Sequence, residues 1–258
     1  MAPSRSTSNG GSAAPDPGDA FTLTVLGCDG SYPGPGGAGS GYLIQVGETS
    51  VVVDAGPGTF AVLQTVIDPS EIDAVVITHH HPDHWTDLLA IETQARVGRR
   101  RRPIPVYAPA QVAEVVAVDK TPMLEWRTVT DGDRAGIGEA SFAFHRTAHA
   151  LETLAARIDG AGRAMGYCAD SGPEWSPGVL GHGLDLLLCE ATYTVEHEGT
   201  AQHMSGRQAG MAAREAGAKR LVITHRWPTV DADSVATEAE AAFGGPVEQA
   251  SIGKEYTL

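Results

Sequence analysis

The stretch Thr78-His79-His80-His81-Pro82-Asp83-His84 directly follows Ala74–Ile77, a short β-branched apolar run bounded by polar residues that reads as a buried strand. Four histidines within six positions, set against a strand end, constrain this chain more than any other feature. Each imidazole needs partners for two ring nitrogens, so a cluster this dense is costly at a buried position unless the rings have work to do. Imidazole and carboxylate ligands suit zinc, and also manganese or iron. A strand-to-helix turn splays alternate side chains. His79 and His81 can therefore reach one ion while Asp83 and His84 reach another. A solvated polar loop or a tag-like run is the alternative, and it leaves the order of these residues unexplained.

The pattern around this cluster mixes strands and helices. Strands are expected at Phe21–Gly27, Tyr42–Val46 and Ser50–Val53, the last two joined by the hairpin signal Gly47-Glu48-Thr49. A Gly/Pro-rich loop runs from Asp29 to Gly41, and Asp54-Ala55-Gly56-Pro57-Gly58 breaks the third strand ahead of a helix over Thr59–Val66. Helical pattern resumes over Asp87–Arg96 and Ala110–Val118, with a strand at Ile104–Tyr107 between them. The second half repeats this grammar. Strands are expected at Ser141–His145, Thr153–Ile158, Ala164–Cys168, Leu184–Cys189 and Leu221–Ile223, and helices at Gly206–Ala216 and Ser234–Phe243. Ser205 with Gln208 three residues on is a capping-box pattern, and Gly217 suits the far end of that helix. Two such halves suggest an α+β fold of two sheets packed face to face with helices outside.

Composition narrows the function classes. The 258 residues suit one large domain, expected over 21–258, and 42% hydrophobic residues are enough for a real core. Residues 1–20 are rich in Ser, Gly, Pro and Ala, lack the apolar stretch of a signal peptide, and read as a disordered leader. A formal charge of −14 repels long polyanions, so nucleic acid is not an expected partner. Three cysteines, Cys28, Cys168 and Cys189, form no Cys-x-x-Cys pair. That argues against a disulfide framework or a thiolate zinc site and suits a reducing cytoplasm. No apolar run reaches the roughly 18 residues a membrane helix needs, so no membrane is expected as a partner.

The H-x-H-x-D-H order at 79–84 resembles the metallo-β-lactamase superfamily, and further positions extend the resemblance. His149 in Thr147-Ala148-His149 matches the family's lone His at a strand end. Asp170, after Gly166-Tyr167-Cys168-Ala169, matches its Asp, and His225, after Leu221-Val222-Ile223-Thr224, matches its last His. The resemblance spans Phe21 to about Phe243. It implies a four-layer αββα sandwich of two mixed β-sheets and two divalent metal ions, zinc first, with manganese or iron(II) as alternatives. It assigns His79, His81 and His149 to one ion, Asp83, His84 and His225 to the other, and Asp170 to both. A hydroxide shared between the ions would be the nucleophile, oriented by Asp83. Asp54 in Val53-Asp54-Ala55-Gly56 resembles the family's supporting Asp, which hydrogen-bonds a ligand.

Within the superfamily, Gln202-His203-Met204-Ser205-Gly206-Arg207-Gln208-Ala209 resembles the ribonuclease Z group and its phosphodiesterase relatives. There the matching His, here His203, assists the phosphoryl group or its leaving oxygen. Glu190 in Leu188-Cys189-Glu190-Ala191-Thr192 also matches and is expected to orient His203. The long substrate-clamping arm of ribonuclease Z is missing, since only 20 residues separate His149 from Asp170. Arm-less relatives include small-molecule phosphodiesterases, and Asp29-Gly30-Ser31, Ser40-Gly41-Tyr42 and Glu190-Ala191-Thr192 look closest to actinobacterial enzymes acting on cyclic nucleotides. The expected substrate is thus a small cyclic or nucleotide-like phosphodiester; the assembly is left open by the sequence, although relatives of this type are often homodimers. The alternatives are a ribonuclease Z-like tRNA 3′-processing endonuclease gripping RNA through Arg99–Arg102, and a lactonase, thioesterase or β-lactamase-type hydrolase. Arg99–Arg102 otherwise reads as a solvated loop. Trp85 and Trp227, beside expected ligands, could stack on a nucleobase or pack behind the site.

Overall fold

The computed structural model describes residues 20–116 and 121–258. Fourteen strands form two seven-stranded sheets. The first sheet takes β1 (Phe21–Gly27), β2 (Gly41–Val46), β3 (Thr49–Ala55), β4 (Ala74–Val76), β5 (Ile104–Ala108) and β6 (Leu124–Thr128), with β14 (Glu255–Thr257) closing its far edge beside β1. The second takes β7 (Arg134–Ile137), β8 (Ala140–Arg146), β9 (Leu154–Gly160), β10 (Arg163–Tyr167), β11 (Leu186–Glu190), β12 (Leu221–Thr224) and β13 (Val247–Gln249), in that spatial order. Each sheet is antiparallel over half its width and parallel over the rest: β3, β4, β5 and β6 run together in one, and β10 to β13 in the other.

The apolar runs are continuous because both faces of each sheet are covered. In β3, Val51 and Val53 point to the core between the sheets, while Val52 points outward under helices α1 (Thr59–Val66), α2 (Leu88–Val97) and α3 (Ala110–Val116). In β11, Leu186 and Leu188 face the inter-sheet core. Leu187 and Cys189 face α4 (Gly206–Glu215) and α5 (Ala232–Phe243). The order is therefore helix, sheet, sheet, helix, the four-layer sandwich expected.

Boundaries moved by a residue or two where local chemistry decides. Ser205 accepts from the Gln208 backbone N–H and Gln208 returns a bond to the Ser205 N–H, so the capping box forms as read. Asp231 caps α5, which starts two residues earlier than the pattern suggested. Gly206 and Gly210 let α4 lie directly on the α5 backbone, since a Cβ on either would collide with the carbonyls of Val235 and Ala239. Strands β6, β7, β13 and β14 were not anticipated. They are three to five residues long, and most of their side chains are half-exposed or exposed, so they are too short and too open to show the pattern that marks a buried strand. The expected helix end at Val118 and the expected leader lie outside the described residues, apart from Ala20. No helix among the described residues is long and apolar enough to cross a membrane.

Candidate metal centre

The candidate residues gather at one edge of the sandwich, because each follows the C-terminal end of a strand running the same way. Asp54 ends β3, His79 to His84 follow β4, and His149 follows β8. Asp170 follows β10, Glu190 ends β11, and His225 follows β12. Carboxyl ends of parallel strands are where open α/β sheets place their ligands. The turn from β4 is a short 3-10 segment over Pro82–His84, which turns Asp83 and His84 inward while Pro82 stays exposed. Asp54, Ala169 and His225 adopt left-handed backbone conformations, with φ of 56°, 51° and 55°. Such conformations are costly for residues other than glycine, and they concentrate at functional sites.

Two clusters result. His79, His81, His149 and Asp170 form one and Asp83, His84 and His225 the other, each with donor atoms within 4.8 Å of one another. His79 Nε2 lies 3.0 Å from His81 Nδ1, His149 Nε2 lies 3.3 Å from the same atom, and His79 Nε2 is 3.5 Å from Asp170 Oδ2. In the second cluster Asp83 Oδ2 sits 3.3 Å from His225 Nε2 and 3.5 Å from His84 Nε2. The other oxygen of Asp170, Oδ1, lies 3.3 Å from both His84 Nε2 and His225 Nε2. Asp170 thus reaches both clusters, one oxygen toward each.

The donor set fits divalent cations. His84 Nε2 and Asp170 Oδ1 are buried and lie 3.3 Å apart as an ion pair, and neither has a hydrogen-bond partner. Buried polar atoms are rarely left unpaired, and both of these face the centre of their cluster. Burial keeps His79, His81 and His149 neutral by lowering their pKa values, the state in which imidazole ligates. Burial opposes ionisation of Asp170, but the imidazoles of His225, His84 and His79 overcome it and hold the carboxyl well below the usual range. Burial likewise works against a charge on His84, yet Asp170, Asp54 and Asp83 drive its pKa well up. Three carboxylates in so small a space call for positive charge, which cations supply without a proton.

Around the clusters lies a supporting layer. Asp54 is fully buried and accepts from the Thr78 N–H at 2.8 Å, the Tyr167 hydroxyl at 2.8 Å and His84 Nδ1 at 2.8 Å. Glu190 is nearly as buried and accepts from the Ser171 N–H at 2.6 Å, the Thr192 hydroxyl at 2.7 Å and His203 Nδ1 at 3.0 Å. The two carboxylates are counterparts: each ends a parallel strand of its sheet, takes a backbone N–H from beyond the neighbouring strand, and orients one histidine. His203 sits with its ring 5.3 Å from those of His149 and His225. Burial disfavours its charge, but Glu190 beside it raises the His203 pKa to about 9.

A sequence profile described as the Beta-lactamase superfamily domain matches residues 49–226. The chain belongs to the metallo-β-lactamase superfamily. It is similar to the probable metallo-hydrolase YhfI of Bacillus subtilis, at 31% identity over 90% of this chain and 97% of that protein. The crystal structure of YhfI superposes with a TM-score of 0.86 at 28% identity, covering 93% of this chain and all of the other. A ribonuclease Z of Methanopyrus kandleri is 26% identical over 86% of this chain and 93% of its own. A diphosphatase of the PhnP family shares the fold, with a TM-score of 0.75 at 22% identity over 92% of this chain and 98% of that one. The chain is thus a metallo-hydrolase of the metallo-β-lactamase superfamily.

Several members of this metallo-β-lactamase site carried no assignment from the sequence. Thr78, Tyr167 and Thr192 are buried donors to the two supporting carboxylates. Thr192 also lies 3.1 Å from His225 Nδ1, which leaves Nε2 of that ring free to face the cluster. Ser31 donates its backbone N–H to Asp83 Oδ2 at 2.8 Å. A polar residue closing an apolar run, as Thr78 closes Ala74–Ile77, was the only available signal; the Ser31 contact involves backbone and leaves none. Of the two tryptophans, Trp85 packs against the α1–α2 side of the core and donates to the His80 carbonyl. Arg99–Arg102 precedes β5, and Arg100 donates to the carbonyls of Ser70 and Ile72 ahead of β4. These are the N-terminal ends of the strands, so the run lies at the opposite edge of the sandwich from the histidines.

Proposed function

We propose that this protein is a binuclear phosphodiesterase whose substrate is a small cyclic or nucleotide-like phosphodiester. The observation that carries the reading is the buried His203–Glu190 pair beside the two clusters. Attack on a phosphodiester expels an alkoxide, a poor leaving group unless it receives a proton. Glu190 holds a proton on His203 through Nδ1, raising its pKa to about 9. The opposite nitrogen, Nε2, is then an acid at neutral pH. Glu190 itself is fixed by Ser171, Thr192 and Met204, so it cannot turn away.

His79, His81, His149 and Asp170 would hold one cation, and Asp83, His84, His225 and Asp170 the other. Cations bound there supply Lewis-acid neutralisation of phosphoryl charge and lower the pKa of water toward neutrality. Asp54 keeps the proton of His84 on Nδ1, which leaves Nε2 as the ligating atom. Asp83 Oδ2 already accepts from Ser31, so Oδ1 is the oxygen available to orient the attacking water.

Two observations favour a small substrate over a precursor tRNA. The segment from His149 to Asp170 is a plain hairpin of β9 and β10, with no projecting arm. The only arginine run stands at the other edge of the molecule, on a chain of charge −14.

Hydrolysis of bis-para-nitrophenyl phosphate and 3′,5′-cyclic AMP by the metal-loaded protein tests this, with Asp83→Ala as control. Both should turn over and both should be lost in the control. His203→Ala should keep its metal and lose about 10²–10⁴-fold in turnover. Unchanged turnover in His203→Ala, or nitrocefin or a lactone outpacing every diester, would overturn the reading.

A further inference from the structure

The loop that follows β1 meets the candidate metal centre at Ser31, in a turn whose conformation is costly. The Tyr32 N–H donates to the Gly30 carbonyl at 2.8 Å, and Ser31 between them has a φ of 62°. A three-residue turn with its central residue at positive φ is the rare, strained form of the γ-turn. Glycine adopts such angles freely, whereas a residue with a Cβ does not. Ser31 is also exposed, so no surrounding core keeps it there. What keeps it there is a set of hydrogen bonds.

Three bonds act on the turn from outside it. The Gly30 N–H donates to the Arg226 carbonyl at 2.9 Å, the Ser31 N–H donates to Asp83 Oδ2 at 2.8 Å, and the Trp227 indole N–H donates to the Ser31 hydroxyl at 3.0 Å. Gly30 rests directly on His225, since a Cβ at position 30 would come within 2.5 Å of the His225 carbonyl oxygen and 2.8 Å of its Nδ1. Trp227 is anchored in turn. Its backbone N–H donates to the Thr192 carbonyl at 3.1 Å, and its ring meets that of the buried Tyr193 edge-on at 5.7 Å. Thr192 is the same residue whose hydroxyl supports Glu190 and His225. The Asp83 oxygen that receives the Ser31 N–H is the one 3.3 Å from His225 Nε2 and 3.5 Å from His84 Nε2. Relaxation of Ser31 to an ordinary negative φ would rotate the adjoining peptide groups and carry its N–H off that carboxylate.

We propose that Trp227 is a positioning residue for the metal centre: its indole N–H holds Ser31 at positive φ, and the Ser31 N–H in turn holds Asp83 Oδ2 toward His84 and His225. The inference rests on cation binding at the Asp83, His84 and His225 cluster and is independent of the substrate. Outer donors of this kind fix the orientation of a ligating carboxylate, and losing one weakens the cation by about 10–100-fold. The role belongs to the N–H of Trp227 and not to its ring, and it acts through a strain that a glycine at position 31 would remove.

Chelator competition on the zinc-loaded protein reads the affinity of each cation without requiring turnover. Trp227→Phe keeps an aromatic ring against Tyr193 and loses the N–H. It should weaken one cation about tenfold and leave the other within about twofold, because Asp83 belongs to one cluster only. Ser31→Ala loses the hydroxyl and keeps the strain, so it should do the same, and the two substitutions together should cost no more than either alone. Ser31→Gly takes the turn without strain and keeps the N–H, so in that background Trp227→Phe should cost less than about twofold. Unchanged affinity in Trp227→Phe would overturn the proposal. Equal weakening of both cations, or an undiminished loss in the Ser31→Gly background, would do so too, since either marks Trp227 as a packing residue alone. The metal-free protein gives a second readout by NMR. The Ser31 amide proton, shifted downfield by the Asp83 carboxylate, should move upfield in Trp227→Phe, and an unmoved resonance would sink the relay. If the wild-type protein takes up a single cation, the binuclear reading fails, and the Ser31 resonance still decides whether Trp227 acts through Ser31 on Asp83.

Discussion

Replacing Asp54 by asparagine removes one oxygen and keeps the shape, and the structure says where the loss is felt. Asp54 serves four donors: the Thr78 N–H at Oδ1, the Thr78 hydroxyl at both oxygens, and the Tyr167 hydroxyl and His84 Nδ1 at Oδ2. An amide keeping its oxygen toward Thr78 turns its NH2 toward the other two. The Tyr167 hydroxyl can rotate and accept. His84 Nδ1–H cannot, so the ring must either face a donor or shift its proton to Nε2, 3.3 Å from Asp170 Oδ1. A protonated Nε2 cannot ligate. A change in the partner of a ligating histidine typically weakens metal binding by about 10–100-fold, which is about 1.4–2.8 kcal/mol. Without metal, one mispaired buried donor costs about 1–3 kcal/mol, and the melting temperature should fall by roughly 2–4 °C for each kcal/mol. Backbone strain does not enter, because asparagine tolerates the left-handed φ of 56° that Asp54 adopts. Chelator competition on the loaded protein and a thermal melt of the metal-free protein measure the two effects. Wild-type metal affinity in Asp54→Asn would refute the reasoning, since the proton on His84 would then not depend on Asp54.

Three further outcomes follow from the same geometry. Activity should fall as pH rises through the His203 pKa, since a histidine raised by a carboxylate is protonated below that value and neutral above it. The limb should lie at or below about 9, because bound cations repel the proton, and Glu190→Gln should move it lower still; a limb that ignores the Glu190 substitution would separate His203 from the rate. Metal removal should destabilise the fold: cations at a thousandfold excess over Kd add about 4 kcal/mol, or roughly 8–16 °C at the same conversion, and a melt indifferent to chelator would mean that the native clusters bind none. Arg100→Ala should cost about 1 kcal/mol for each of its bonds to Ser70 and Ile72 without altering diester turnover, whereas a large loss of turnover on replacing Arg99, Arg101 and Arg102 together by serine would bring the run into the site.

What was legible in the sequence is what short stretches of chain decide. The run Ala74–Ile77 followed by His79 to His84 announces a buried strand that delivers ligand-type side chains, because alternation and the turn are local properties. The Ser205–Gln208 box, the hairpin at Gly47 and the helix over Thr59–Val66 were readable for the same reason. Mixed strands and helices in two similar halves suggested two sheets with helices outside, and the family resemblance supplied the four layers. Short edge strands such as β7 and β13 were not readable, since pairing on one side, rather than burial, holds them.

The tertiary structure alone decided how these pieces meet. The resemblance gave Asp170 to both ions and Glu190 to His203, but which oxygen of Asp170 faces which cluster, and that Asp54 singles out His84, only the fold decides. Nor does the order of residues say that a backbone N–H from Ser31 reaches Asp83 across 52 positions. Trp85 and Trp227 look alike in sequence, each near a candidate ligand, yet Trp85 packs on the α1–α2 side of the core while Trp227 packs edge-on against Tyr193 and donates to Ser31. The physical reason is the same in each case. Residue type and spacing set which chemistry is available to a strand end, while the partners of a buried donor are chosen by how two sheets, brought together by their apolar faces, happen to aim those ends at one another.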